Sequence, residues 1–209
     1  MNIKRLKIAV LGSTKGTNLD AILNAIKTGE LDAEITMVIS DKKDAYILQR
    51  AKNNKVAAFF IDPKSVNSRE DYDKTIVEKL KLGQVELVLL IGYMRIISPY
   101  FVKQFKNKIM NIHPSLLPAF AGGMDLDVHK LVIESGVKIT GCTLHFVDDG
   151  TDTGPIILQK AVEITKGETP QTLKEKVQKA EQEIILKGIK LFKNGQLKVQ
   201  NDKVQIVSE

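Results

Sequence analysis

Short, β-branched apolar runs recur through the first half of the chain, at residues 6–11, 35–39, 56–61, 85–91 and 108–112. Between them, residues 19–27, 44–53 and 69–82 carry apolar side chains at helical spacing with charged side chains on the opposite face. Strands buried on both faces of a parallel sheet read as such continuous apolar runs, and their alternation with amphipathic helices is the βαβ pattern. The expected fold is therefore α/β: a Rossmann-like, doubly wound, mostly parallel sheet. Sheets of this kind take ligands beyond the carboxyl ends of their strands, near the point where strand order reverses. Three polar segments fall at that edge: the loop after the first strand, Gly92-Tyr93-Met94-Arg95 after the fourth, and Asn111-Ile112-His113 at the end of the fifth.

Beyond Pro118 the pattern changes. Residues 119–127 read as an irregular loop around Gly122-Gly123, residues 128–135 as a helix, and residues 139–147 and 155–163 as strands flanking a turn-rich loop. A long helix is predicted over residues 170–192, with Thr169 as N-cap and Pro170 at the first helical position. Residues 197–199 and 204–207, separated by Asn201-Asp202, form a terminal hairpin in this reading, an antiparallel C-terminal extension of the parallel core. No linker or internal repeat is visible, so residues 1–209 are expected to make one domain.

Composition narrows the function classes. With 209 residues, 43% of them apolar, the chain can bury a sizeable core. The formal net charge of +6 favours anionic ligands. Lysines are interleaved with acidic residues, Trp is absent and no arginine-rich patch appears, which favours a solvated surface over nucleic-acid binding. The longest apolar run, residues 85–92, is too short to span a bilayer, and residues 1–7 show no secretory pattern, so a cytoplasmic protein is expected, not a membrane protein. Cys142 is the single cysteine, which excludes an intrachain disulfide and a cysteine-based zinc cage. Its apolar neighbours make it a packed strand residue.

Residues 111–155 carry the chemistry. An amide (Asn111), an imidazole (His113) and a carboxylate (Asp152), on elements bounded by Gly or Pro, are what a site needs to hold a developing oxyanion and move a proton. Asn111 and His113 are two apart on a strand, so both point to one face. Singly, His113 also fits a partly buried histidine, Asn111 a turn former and Asp152 a solvated hairpin tip. The acidic run Asp148-Asp149-Gly150-Thr151-Asp152 lacks the later bidentate Glu of a calcium loop, and no metal is expected. The loop Gly12-Ser13-Thr14-Lys15-Gly16-Thr17-Asn18 runs from strand to helix and offers backbone amides to a phosphate, though any strand-to-helix turn favours Gly and a capping residue. It matches neither the Walker A loop nor the dinucleotide fingerprint.

Taken together, Gly16-Thr17-Asn18-Leu19, Ser68-Arg69-Glu70, Gly92-Tyr93-Met94-Arg95-Ile96-Ile97-Ser98-Pro99, Asn111-Ile112-His113-Pro114-Ser115-Leu116-Leu117-Pro118 and the stretch from His145-Phe146-Val147 to Asp152-Thr153-Gly154-Pro155 resemble the glycinamide ribonucleotide formyltransferases. The match covers nearly the whole chain, and the two central motifs are specific to folate-dependent formyltransferases. The resemblance implies the formyltransferase fold, with a nucleotide-binding half over about residues 1–112 and a folate-site half over 113–209. It implies formyl transfer from 10-formyltetrahydrofolate to the amine of 5'-phosphoribosylglycinamide in purine biosynthesis, without a metal.

By the same resemblance, Asn111 and a cationic His113 donate to the oxyanion, Asp152 keeps His113 charged and helps remove the amine proton, and His145 supports the site. The phosphate falls to Gly16, Thr17 and Asn18, with Arg69 and the ribose-contacting position Glu181 toward the nucleotide, although a helix-surface Glu fits Glu181 equally well. The folate falls to Arg95, Ile97, Asp148, Asp149 and Asp152, with Leu90 and Met94 as apolar walls; both also fit plain core packing. The partners implied are small molecules, and the chain is expected as a monomer or homodimer.

Two departures from the family pattern stand out. Ser13-Thr14-Lys15 replaces a Ser-Gly start to the phosphate loop, and residues 119–129 are longer than the usual Pro-Gly version, as a differently shaped lid would be. Formyltetrahydrofolate deformylase and methionyl-tRNA formyltransferase share the Asn-x-His and Asp pattern. The first carries an added N-terminal regulatory domain, whereas here the first strand begins at about residue 6. The second needs a sizeable C-terminal domain, so length favours the small-nucleotide enzyme. A noncatalytic nucleotide-binding module is the rival from another class.

Overall fold

A computed structural model describes residues 5–123 and 125–207; Met124, which falls within the expected 119–129 loop, and the residues at either end lie outside the described residues. The chain divides into two compact units, Met1–Met110 and Asn111–Glu209.

In the first unit, β1 (Leu6–Leu11), β2 (Ala33–Ser40), β3 (Ala57–Phe60) and β4 (Leu87–Leu90) alternate with α1 (Thr17–Lys27), α2 (Tyr46–Asn53) and α3 (Arg69–Leu82). β1 pairs in parallel with both β2 and β4, and β2 with β3. Ile8, Ala9, Val10 and Leu11 are fully buried, as are Leu87, Val88 and Leu89. Each Ile, Val or Leu among them contributes about 1.5–3 kcal/mol by leaving water, which is why these central strands tolerate no polar alternation. β3 departs from the expected buried strand: its residues are exposed or half-buried because it is the edge strand of the sheet. A short helix, α4 (Pro99–Gln104), precedes β5 (Ile109–His113), and a single 3-10 turn lies at Pro63–Ser65; neither was expected from the pattern.

The boundary between units falls inside β5. In the second unit, α5 (Asp125–Glu134) starts three residues earlier than the expected 128. It is followed by the antiparallel pair β6 (Ile139–Phe146) and β7 (Ile156–Glu163), by α6 (Pro170–Lys193), and by the hairpin of β8 (Leu197–Gln200) and β9 (Lys203–Ile206). The larger sheet runs β3-β2-β1-β4-β5-β6-β7, and β8-β9 forms a separate sheet. Thr169 caps α6 in a capping box with Thr172, with Pro170 in the first turn. The α6 stripe Leu173, Val177, Ala180, Ile184, Ile185 and Ile189 is buried, and a Cβ on Gly188 would collide with Leu144 of β6, so helix and strand sit in close contact. Among the described residues no helix is long and apolar enough to cross a membrane.

Candidate active site

In the first unit the strand order turns outward from β1, and the loops that leave the paired ends Leu11 and Leu90 emerge side by side there. The β1–α1 loop ends in Gly16, which sits in the left-handed region at φ 66° as the N-cap of α1 with no side-chain cap. A Cβ at Gly16 would strike Ile47, so both conformation and space demand glycine. The first turn of α1, at Thr17 and Asn18, carries the positive end of the helix dipole. Thr14, which stands where the family pattern has glycine, keeps its carbonyl engaged by the Ile47 N–H at 3.1 Å. Lys15 is exposed, and its carbonyl accepts from Arg50 Nε at 2.6 Å. An open depression of about 450 Å³ beside this loop is lined by Ser13 to Lys15 and by residues 42–46, with lysines at 15, 42 and 43.

The segment after β4 is held at two points. The Met94 N–H donates to Ser13 Oγ at 2.9 Å, and the Ser98 N–H donates to the buried Asp73 Oδ2 at 2.5 Å. Burial pushes the Asp73 carboxyl up from its ordinary value, opposed by the bonds from Ser98. Leu90 and Ile97 are each 7% exposed, Met94 and Arg95 are half-buried, and the Arg95 guanidinium lies 4.8 Å over the Tyr72 ring. Arg69 is exposed in the first turn of α3.

Four of the expected catalytic side chains converge in the second unit. β5 supplies Asn111 and His113, β6 supplies His145, and the β6–β7 loop supplies Asp152. His113 Nδ1 lies 3.3 Å from Asp152 Oδ2, and its Nε2 lies 3.0 Å from the Phe120 carbonyl. Asn111 Nδ2 donates to His145 Nε2 at 3.1 Å and to Asp152 Oδ1 at 3.4 Å, while His145 Nδ1 donates to the Phe146 carbonyl at 2.9 Å. A carbonyl can only accept, so His145 Nδ1 carries a proton, while its Nε2 faces both the Asn111 amide and Asp152 Oδ1, the latter at 3.7 Å. Asp152 also accepts the Gly122 N–H at 2.9 Å. Its side chain is 12% exposed, so it is no solvated hairpin tip, and its backbone sits at φ 56°, a conformation for which Asp is better suited than most residues.

Charge in this cluster follows from burial and pairing. Burial raises the Asp152 pKa, but His145, the Gly122 amide and the nearby His113 together hold the carboxyl below its ordinary value, so it stays ionised. For His113, burial is the largest influence and lowers the pKa; the Asp152 carboxylate and Phe120 carbonyl oppose it without winning. The pull of Asp152 on which the expected cationic His113 relies is thus opposed by the larger effect of desolvation of the ring. Both ring nitrogens nevertheless face acceptors, so a proton arriving on His113 finds a bond on either side.

Asp148 turns inward to accept from the Gly150 N–H and the Thr153 hydroxyl, which shapes the acidic loop, and Asp149 is exposed. Glu181 is 7% exposed on α6, which overturns its alternative as a helix-surface residue. Cys142 is fully buried, and burial pushes its thiol up to about 12, as befits packing. Among the described residues no group of three or more His, Cys, Asp or Glu is placed to hold a metal ion.

Several contributors escaped the sequence pattern. Phe120 and Gly122 act through their main chain, which leaves no side-chain signal; the Gly122-Gly123 pair hinted only at a turn. Thr143 Oγ1 accepts from the Leu117 N–H at 3.0 Å and donates to the Ser115 carbonyl at 2.7 Å, while Gln159 Nε2 bonds both Thr143 Oγ1 and the Leu117 carbonyl. This network fixes the chain leaving His113 against β6 and β7.

Comparison with known proteins places this geometry in context. A family model described as formyl transferase matches residues 6–189. A phosphoribosylglycinamide formyltransferase of Bacillus subtilis is 41% identical over 175 residues, covering 84% of this chain and 88% of that protein. The crystal structure of a glycinamide ribonucleotide transformylase from Symbiobacterium toebii superposes with a TM-score of 0.93 at 42% identity, covering 98% of this chain and 95% of the other. A trifunctional purine biosynthetic protein of Gallus gallus is 43% identical over 195 residues, which are 93% of this chain but 19% of that protein, so the chain spans about a fifth of that relative's length.

Proposed function

The chain belongs to the formyl transferase family, and on that membership and the Asn111–His113–His145–Asp152 cluster we propose that it transfers the formyl group of 10-formyltetrahydrofolate to the amine of 5'-phosphoribosylglycinamide in purine biosynthesis. The names of the relatives support formyl transfer to the nucleotide. The observation that carries the chemistry is a largely covered Asp152 carboxyl beside His113, with the Asn111 amide on its other oxygen.

The neutral amine of the nucleotide attacks the formyl carbon; the C=O π pair moves onto oxygen, giving a tetrahedral intermediate with an oxyanion and a cationic nitrogen. Asn111 and His113 donate to that oxyanion. In the structure the His113 Nε2–H serves the Phe120 carbonyl, so this donor becomes available when it exchanges that partner for the substrate oxygen. The oxyanion adds a second negative charge beside a ring that already faces Asp152, which strengthens the hydrogen bond that the His113 Nε2–H donates to it. Asp152 receives the amine proton, directly or through a water, and the proton passes to the departing N10 as the C–N10 bond breaks. The C=O re-forms, leaving tetrahydrofolate and the formylated amide.

Gly16, Thr17 and Asn18 take the nucleotide phosphate on backbone amides at the helix terminus. Arg69 and Glu181 serve the nucleotide; Leu90, Met94, Arg95, Ile97, Asp148 and Asp149 serve the folate. The two compact units, Met1–Met110 and Asn111–Glu209, act as one catalytic domain in this reading. His113→Ala tests it: turnover should fall by about a hundredfold or more, the usual cost of losing an oxyanion donor, while calorimetry still shows the nucleotide binding. Unchanged formyl transfer in a folded His113→Ala protein would reject the assignment.

A further inference from the structure

Ser13 has no part in the reaction as derived, yet the residue is 4% exposed and its hydroxyl is engaged on both sides. It donates to Asp41 Oδ1 at 2.5 Å and accepts the Met94 N–H at 2.9 Å, while the Ser13 N–H donates to the Gly92 carbonyl at 3.0 Å. One residue of the β1–α1 loop is thereby bonded to the residue just past β2 and twice to the segment that follows β4. The Asp41 carboxylate can only accept, so it fixes the Ser13 proton and leaves a lone pair aimed at Met94.

We propose that Ser13 is a positioning residue that makes nucleotide phosphate and folate bind cooperatively, by tying the loop at Gly16, Thr17 and Asn18 to the segment at Met94, Arg95 and Ile97. The proposal rests on the substrate assignment above. Three further observations support it. The two loops are in contact beyond Ser13, since a Cβ on Gly92 would fall on Thr14 Oγ1 and one on Gly12 would lie 2.8 Å from the Ile91 carbonyl. Displacing one loop therefore displaces the other. The segment is anchored at its far end, where Ser98 N–H meets Asp73 and Ser98 Oγ caps α4 at Phe101 N, leaving Met94 as the end that answers to the phosphate loop. The phosphate loop is itself pinned on its outer side by the Ile47 N–H to the Thr14 carbonyl and by Arg50 to the Lys15 carbonyl. A phosphate that settles the amides of residues 16–18 thus settles Ser13, and with it the Met94 amide.

The test is a binding cycle on the full chain. Tetrahydrofolate is titrated by calorimetry with and without saturating 5'-phosphoribosylglycinamide, in wild type, Ser13→Ala, Asp41→Ala and Asp41→Asn, each checked for native circular dichroism. The wild type should bind tetrahydrofolate about fivefold or more tightly when the nucleotide is present, with the same factor in the reverse titration, as linkage requires. Ser13→Ala and Asp41→Ala should bring that factor close to one, and Asp41→Asn, which keeps an acceptor oxygen, should retain most of it. A residue that served only the fold would lower melting temperature without moving the ratio. An unchanged ratio in folded Ser13→Ala or Asp41→Ala, or a ratio of one in the wild type, overturns the coupling while leaving the substrate assignment standing. Absence of binding by either ligand to the wild type overturns both.

Discussion

At His113 burial and neighbouring charge pull in opposite directions. Its ring is buried among β5, the Phe120 carbonyl and Asp152, and burial lowers its pKa from the ordinary 6.5 despite the carboxylate 3.3 Å away. The consequence for stability has a definite sign. As pH falls below 6.5 the unfolded chain takes up a proton that the folded ring resists, so stability declines there. Asp152 acts lower on the scale: its folded pKa lies below 3.8, so its contribution is complete above 3.8 and is lost as pH falls through the folded value. Denaturant midpoints measured against pH should therefore fall in two stages. His113→Ala should flatten the first and Asp152→Asn the second; a wild-type midpoint that rises on acidification through 6.5 would contradict the assigned burial. Asp152→Asn should also cost about a hundredfold in turnover, the scale of a lost proton acceptor, checked by steady-state kinetics. At this scale the sequence marked Asn111, His113, His145 and Asp152, which the fold brings into one cluster, because amide, imidazole and carboxylate announce their chemistry. It did not mark the Phe120 carbonyl or the Gly122 amide, since every residue has a main chain and only the fold decides which ones face a ring or a carboxylate.

Among the elements, the β6–β7 hairpin and the chain leaving β5 do most to build the cluster. The ladder register slips between Leu144 and His145, directly beside the site, and a Cβ on Gly154 would fall on the Phe146 carbonyl, so the strand re-enters only with glycine there. Thr143 and Gln159, bonded to each other, then brace residues 115–117 through three bonds, so His113 is followed by a fixed rather than a free loop. Thr143→Val preserves shape but leaves the Leu117 N–H without its acceptor; the expected loss is about 1–3 kcal/mol of stability by chemical denaturation, with a larger effect on kcat than a surface Thr→Val control. Stability equal to wild type would show the bond to be dispensable. The alternating strands and helices were legible because period and burial agree in β1, β2, β4 and α6. α4 was missed although Ser98 and Pro99 form a proper start, because six residues, among them Tyr, Phe and Val, are too few to show helical periodicity. The exposed β3 was misread because an apolar run reveals strand propensity, not whether a neighbour will cover it.

For the whole molecule, the 2 units carry different parts of the proposed work: one presents a helix terminus and two loops at a strand-order reversal, and the other gathers the side chains that can stabilise an oxyanion and move a proton. A similar sequence occurs both as a protein of similar length, in Bacillus subtilis, and as a fifth of a trifunctional chain, in Gallus gallus. The most direct measurement follows both products at once: tetrahydrofolate release from 10-formyltetrahydrofolate by the purified protein, with and without 5'-phosphoribosylglycinamide, while the formyl carbon is traced. The account predicts stoichiometric formylation of the nucleotide and no release in its absence. Formate appearing without the nucleotide would make the protein a hydrolase, and no turnover under either condition would contradict the catalytic reading and leave a nucleotide-binding module.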